Sequence, residues 1–321
     1  MQTKLNKITI EDITNTYHLP LLQLIHKAAE VHKQYFDPLS VQLCSLLSIK
    51  TGGCPEDCSY CSQSAHSKTS IKSENLKSID DVLNTAQNAK EKGASRFCMG
   101  AAWRSIKEND DFENVLEMIK KIKSLNMEAC CSLGMVTKEQ AFKLKEAGLT
   151  SYNHNLDTGP KYYSKIISTR TYKERLTTLE NIQNAGISVC CGAIIGLGEN
   201  DKDRIEFIYT LANMPKPPES IPVNALIPVK GTPLENREKA SIWDVIRMIS
   251  VLRIFLPESI IRISAGRSNF TYAEQTLCFL SGANSIFLGD KLLTEPNANE
   301  DNDHEMMNIL GINGGIVKKT E

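Results

Sequence analysis

The sequence predicts an α/β chain built as a closed barrel, with a helical extension before it and a short polar tail after it. Three observations carry that expectation. Apolar, strand-like runs alternate with helical segments until eight strands have been counted. The unit recurs about every 30 to 35 residues, the size of a strand–crossover unit. The strands are near-continuously apolar, which argues for a parallel sheet covered on both faces. Eight such units close into a (β/α)8, TIM-type barrel with its chemistry at the C-terminal strand ends. An open doubly wound sheet is the alternative, but it seldom needs eight regular units.

Residues 1–40 read as the helical extension, most clearly from Leu21 to Tyr35. The first strand is expected over Val41 to Ile49. A helix follows over Ile79 to Lys92, with Ser78 as N-cap and Gly93 just past its end. The later strands are expected at Ser95 to Ala102, Glu128 to Leu133, Ser151 to Leu156, Ser188 to Leu197, Pro222 to Val229, Ile260 to Ala265 and Ser285 to Gly289. Between them, helices are expected at Phe112 to Leu125, from Thr137 to Gly148, and at Thr171 to Ala185, Asp203 to Ala212, Ile242 to Phe255 and Tyr272 to Leu280. The barrel thus spans 41–296. Residues 297–321 are expected to be a polar tail, and Asn297 to His304 is acidic and Asn-rich enough to be mobile.

Composition excludes several classes of function. The 321 residues are 41% hydrophobic and 23% charged, which suits a globular protein with a full core. The net charge is -1 and no basic block interleaves with aromatics, so nucleic acid is not an expected partner. No run of about 18 apolar residues exists, so no membrane span is expected. The first twelve residues lack the apolar core of a signal peptide. Ten cysteines without a secretory signal point to a reducing compartment, the cytoplasm.

Two cysteine constellations stand out. Cys54, Cys58 and Cys61 have the spacing C-x3-C-x2-C on a loop broken by Gly52, Gly53 and Pro55. Three thiolates on one short loop can converge on a soft metal centre. An iron–sulfur cluster held this way keeps one iron open for a chelating ligand. A zinc site needs a fourth ligand, which His66 could supply. The second constellation lies inside the strands: Cys98, the doublet Cys130-Cys131, the doublet Cys190-Cys191, and Arg262 between two isoleucines. Alternate strand residues point inward, so each doublet offers one thiol to the lumen. A buried guanidinium needs an anion, which a thiolate-bound cluster supplies. Strand four adds a polar row of Asn153, Asn155 and Asp157 on one face, and Asn224 and Lys50 are expected to point to the same volume. His154 has the opposite parity and reads as structural. The glycine-rich stretch Gly192 to Glu199 is no P-loop, for it lacks the Gly-Lys-Ser/Thr ending.

The cysteine loop resembles the signature of radical S-adenosylmethionine enzymes. Gly192-x-Ile194-x-Gly196-x-x-Glu199 resembles a second motif of that superfamily. The stretches from Ser48 to Cys58, Arg96 to Trp103, Tyr152 to Thr158, Arg262 to Arg267 and Ala283 to Phe287 are similar to the biotin synthase family. The resemblance runs from about Val41 to Asn297. It implies a 4Fe–4S cluster on Cys54, Cys58 and Cys61, whose open iron chelates S-adenosylmethionine. It implies a 2Fe–2S cluster on Cys98, Cys130, Cys190 and Arg262, one cysteine from each of the three strands already singled out and the same arginine. It implies that a 5′-deoxyadenosyl radical takes hydrogen from dethiobiotin, and that sulfur from the second cluster closes the ring of biotin. Tyr60, Asp157, Arg175 and Glu199 would attend S-adenosylmethionine, and Asn155 and Asn224 would face the ureido group. A flavodoxin or ferredoxin system as electron donor and a homodimer are also implied. Where many members carry Thr-Thr, near the substrate's acid tail, this chain has Thr294-Glu295, and Glu295 is expected to point away from that tail.

Overall fold

The computed structural model describes residues 8–320; residues 1–7, part of the expected extension, and residue 321 lie outside them. The extension forms two helices, α1 (Ile10–Tyr17) and α2 (Leu21–Tyr35). Thr9 and Asp12 form a reciprocal capping box at the start of α1. Ile13, Tyr17, Leu24 and Ala28 are buried against the barrel's outer helices.

The barrel strands are β1 (Ser40–Lys50), β2 (Arg96–Ala101), β3 (Glu128–Ser132), β4 (Ser151–Asn153), β5 (Ser188–Cys190) with its continuation β6 (Ala193–Ile195), β7 (Ser220–Ala225), β8 (Ile260–Ile263) and β9 (Ser285–Leu288). All pair in parallel, and β9 returns to β1, so the sheet closes. The crossover helices are α3 (Ile79–Glu91), α4 (Asp110–Ser124), α5 (Lys138–Glu146), α6 (Tyr172–Asn184), α7 (Asp201–Ala212), α8 (Ile242–Phe255) and α9 (Tyr272–Leu280). Capping boxes start α5, α6, α7 and α9, at Thr137, Thr171, Asn200 and Thr271. The outward side chains of the strands and the apolar helix stripes form one continuous core. Complete burial of an Ile or Leu there contributes about 1.5–3 kcal/mol.

Three expectations need correction. The fourth strand ends at Asn153, not Leu156, and Asp157 adopts left-handed backbone with φ 65°. Asp157 instead makes an isolated bridge to Ala193, donating its N–H to the Gly192 carbonyl. The fifth strand is broken at Gly192, where a Cβ would lie 2.0 Å from the Pro222 carbonyl oxygen. The third correction is the C-terminal segment. It is folded, as α10 (Glu300–Leu310) and a strand at Asn313–Gly315 that pairs in parallel with Ser40–Gln42 of β1. Met306 and Met307 are buried, and Asp303 receives a bidentate pair from the fully buried Arg267, at 2.6 Å to Oδ1. The polar composition masked an amphipathic helix whose one buried charge is matched.

The N-terminal end of the lumen is closed by charge. Arg96, 1% exposed, donates to Glu128 at 2.7 Å and to Glu219 at 2.9 Å. Among the described residues, no helix is long and apolar enough to cross a membrane.

Two buried histidines set an acid limit on the fold. Burial, reinforced by Arg253, pushes His32 down to about 3, and burial beside Arg175 and Arg170 pushes His154 well below its ordinary value. Both are neutral when folded, whereas the unfolded chain binds a proton at each below about pH 6.5. The stability they support is complete above that value and is lost as pH falls below it. Denaturant midpoints should therefore drop between pH 7.5 and 5, and His32→Gln should flatten that slope. A midpoint flat across this range would contradict the assignment.

Candidate functional site

At the C-terminal face the chain leaves β1 through Gly52 and Gly53, both with φ near 70°. At Gly52 a Cβ would meet the Lys72 carbonyl oxygen at 2.6 Å. These two glycines turn the cysteine loop back over the barrel mouth. Within the loop, Cys54 N–H donates to Gln63, Ala65 N–H to Cys54, and Cys61 N–H to Cys58. A polar clamp then fixes the loop to the segment before α6. Asp57 accepts from the N–H groups of Ser168 at 2.9 Å and Thr169 at 3.1 Å. These bonds outweigh burial and lower Asp57 to about 2. Glu56, 2% exposed, receives Arg104 at 2.8 Å. Sequence reasoning missed this clamp; its signal was the acidic pair inside the cysteine motif.

Burial raises all three loop thiols, Cys58 to about 12 and Cys61 to about 11. A bound metal reverses that order, because thiolate ligation releases the proton. Among the described residues no three Cys, His, Asp or Glu side chains converge tightly enough for a single ion. A cluster asks for a wider cradle, since its irons and sulfides stand between the ligands. His66 bonds the Pro55 carbonyl at 3.1 Å, so its ring serves the loop rather than the thiols.

Below the loop lies a cavity of about 330 Å³. Tyr60 and Asp157 line its upper wall, and Arg175 and Tyr163 stand behind them. Tyr60 donates to Asp157 at 2.9 Å, and Arg175 donates to the same oxygen at 2.7 Å and to Tyr163 at 2.8 Å. Arg175 is buried, so the Asp157 carboxylate is the partner its charge requires. Asn155 accepts from Asn153 at 3.1 Å and from the Gly192 N–H at 2.9 Å. Asn224 donates to the Ala193 carbonyl at 3.0 Å and accepts from the Ala265 N–H. Each amide thus spends part of its capacity on the backbone, and Asn224 keeps one N–H free. The polar row does line one cavity, although only Asn153 belongs to a strand.

The floor holds the second constellation. Cys98 and Cys130 pair directly in the β2–β3 register, and Asn153 pairs with Cys190. Asn153 also donates to Cys190 Sγ at 3.2 Å. Cys98 is pushed well up by the proton it shares with Cys130 and by burial. Arg262, 1% exposed, donates to Ser285 at 2.9 Å and stacks 4.6 Å over Phe287. Burial works against its charge, yet the thiols of Cys44, Cys190 and Cys98 hold it above the ordinary arginine value. The doublets obey strand parity. Cys131 and Cys191 pack in the core between strands and helices, although Cys131 also touches the cavity wall, whereas Cys98 and Cys130 pack in the lumen cluster. One lumen thiol was missed: Cys44 on β1, 3.2 Å from Arg262 Nη2. The same alternation along β1 could have found it.

Lys50 and Glu199 lie off the cavity lining, whereas Glu295 lies on it. Lys50 bonds the Gly52 carbonyl and stands outside the cavity. Glu199 also stands outside it: its carboxylate accepts from the N–H groups of Gly196 and Gly198 and pairs with Arg204 at 2.9 Å. Glu199 therefore shapes the glycine-rich loop. Glu295 was expected to point away, but it lines the mouth, where Ser62 donates to it at 3.0 Å.

Comparison with known proteins decides the family. The radical SAM superfamily model matches residues 48–211, and the biotin and thiamin synthesis associated domain matches 222–313. A biotin synthase of Cytophaga hutchinsonii is 55% identical over 96% of this chain and 91% of its own length. The chain belongs to the biotin synthase family. A mitochondrial biotin synthase of Arabidopsis thaliana is 53% identical over 94% of this chain and 80% of its own. Among solved structures, methylornithine synthase superposes with TM-score 0.80 at 20% identity, covering 97% of this chain and 95% of that one. The FeFe-hydrogenase maturase HydG of Carboxydothermus hydrogenoformans gives 0.81 at 17%, over 96% and 76%. At such identities these two speak for the fold alone. As a member of the biotin synthase family the chain is a radical S-adenosylmethionine enzyme of the sulfurtransferase class, and that chemistry uses S-adenosylmethionine and iron–sulfur clusters.

Proposed function

We propose that the chain converts dethiobiotin to biotin by sulfur insertion. One observation carries this reading: the cavity under the three-cysteine loop has a floor of three more lumen thiols and a buried guanidinium. In this reading Cys54, Cys58 and Cys61 would hold a 4Fe–4S cluster, and Cys98, Cys130, Cys190 and Arg262 a 2Fe–2S cluster. When bound, the first supplies the electron that splits S-adenosylmethionine, and the second supplies the sulfur. Tyr60 and Asp157 would line the S-adenosylmethionine site, with Arg175 holding Asp157 from behind as part of one hydrogen-bonded unit. The free amide positions of Asn155 and Asn224 suit a ureido group, which offers both donors and acceptors. The apolar remainder of the wall keeps water and stray hydrogen donors away from a radical. By kinship a flavodoxin- or ferredoxin-type protein would deliver electrons and two copies would form a homodimer. Ten free cysteines suit a reducing compartment such as the cytoplasm.

The test is direct. Protein reconstituted without oxygen and given S-adenosylmethionine, a reductant and dethiobiotin should yield biotin, methionine and 5′-deoxyadenosine. 5′-Deoxyadenosine without biotin would leave the superfamily chemistry and overturn the substrate.

Glu295 gives a second expected outcome. Its carboxylate lies on the cavity wall where the acid tail is expected, and two carboxylates in proximity repel. Glu295→Thr should tighten dethiobiotin about tenfold, roughly 1.4 kcal/mol. Unchanged affinity in equilibrium binding would mean that the tail lies elsewhere.

A further inference from the structure

Cys44 is a buried thiol that the proposed function leaves unused. It is fully buried on β1, and its Sγ is 3.2 Å from Arg262 Nη2 and 3.3 Å from the Gln42 side-chain oxygen. In register it pairs with Arg96, and Leu46, two residues on, pairs with Cys98. Cys44 and Cys98 are therefore diagonal inward neighbours on adjacent strands, and both pack in the lumen cluster with Cys130. Arg262, Cys98, Cys130 and Cys190 line the cavity, but Cys44 does not. The guanidinium thus stands between the Cys44 thiol and the space the other three thiols face.

General chemistry ranks these two neighbours as iron ligands. Cys thiolate is the usual protein donor to an iron–sulfur cluster. A guanidinium has five N–H donors and no lone pair to offer until it gives up a proton, which it does with great reluctance. We propose that Cys44 is a reserve thiolate ligand of the deep site. It would take the fourth position beside Cys98, Cys130 and Cys190 when the Arg262 side chain is withdrawn, its proton leaving to solvent as in any thiolate ligation. The proposal rests on reading the deep thiols as the cradle of the second cluster.

The experiment compares iron and sulfide per chain, together with the visible spectrum, in protein reconstituted without oxygen. The variants are Cys44→Ala, Arg262→Ala, the double variant and, as a control on the cradle, Cys98→Ala. Cys44→Ala should keep the deep cluster unchanged. Arg262→Ala should keep its iron with a shifted spectrum, reflecting a fourth sulfur ligand, and the double variant should lose that iron. Arg262→Leu, which fills more of the vacated volume, repeats the comparison should the alanine variant not fold. Equal deep-site iron in the double variant and in Arg262→Ala would overturn the role of Cys44. If Cys98→Ala loses no iron, it is the cradle reading that fails instead.

Discussion

Cys58→Ala should abolish formation of 5′-deoxyadenosine from S-adenosylmethionine while the barrel stays folded. The three loop thiols are the minimum that leaves one iron of a four-iron cluster open, and two cannot hold it in place. The structure explains why the damage stays local. The loop is pinned by Asp57 on Ser168 and Thr169, by Glu56 on Arg104, and by its own backbone bonds around Cys54 and Gln63. None of these uses the Cys58 side chain. Loss of a small, nearly buried thiol costs about 1 kcal/mol of stability, against the complete loss of an electron donor. Unchanged 5′-deoxyadenosine in Cys58→Ala would remove the loop from the chemistry.

Cys130→Ala and Cys190→Ala should lose the deep cluster and biotin together, whereas Cys131→Ala and Cys191→Ala should keep both. Neighbouring strand residues face opposite sides of the sheet, so one member of each doublet enters the lumen. Cys130 pairs in register with Cys98, and Cys190 accepts a hydrogen bond from Asn153, which itself lines the cavity. Cys131 and Cys191 instead pack under the helices, where burial keeps both thiols protonated. Their replacement by Ala should cost about 1 kcal/mol through lost packing. Should Cys131→Ala lose iron and Cys130→Ala keep it, the lumen assignment on β3 would be displaced by one residue.

Much of this arrangement was legible in the sequence because it rests on periodicity. Period-two alternation limits each doublet to one inward thiol, and capping pairs such as Thr137 with Gln140 mark helix starts. What escaped depends on contacts between distant segments. The bend at Asp157 is fixed by its ladder to Gly192 and Ala193 and not by local propensity. The C-terminal helix is held by Arg267 reaching Asp303, 36 residues away in the chain. Glu199 holds its own loop and Arg204, a structural use that a motif does not announce. Glu295 is held at the cavity mouth by the hydroxyl of Ser62, which lies in the distant cysteine loop of the sequence.

On this reading one chain carries two different clusters, an outer one on a loop and a deep one on strands. Iron and acid-labile sulfide per chain, measured after anaerobic reconstitution, test it most directly. The protein should carry about six of each, four on the loop and two in the lumen. About four of each with Cys98→Ala unchanged, or zinc in place of iron, would contradict it.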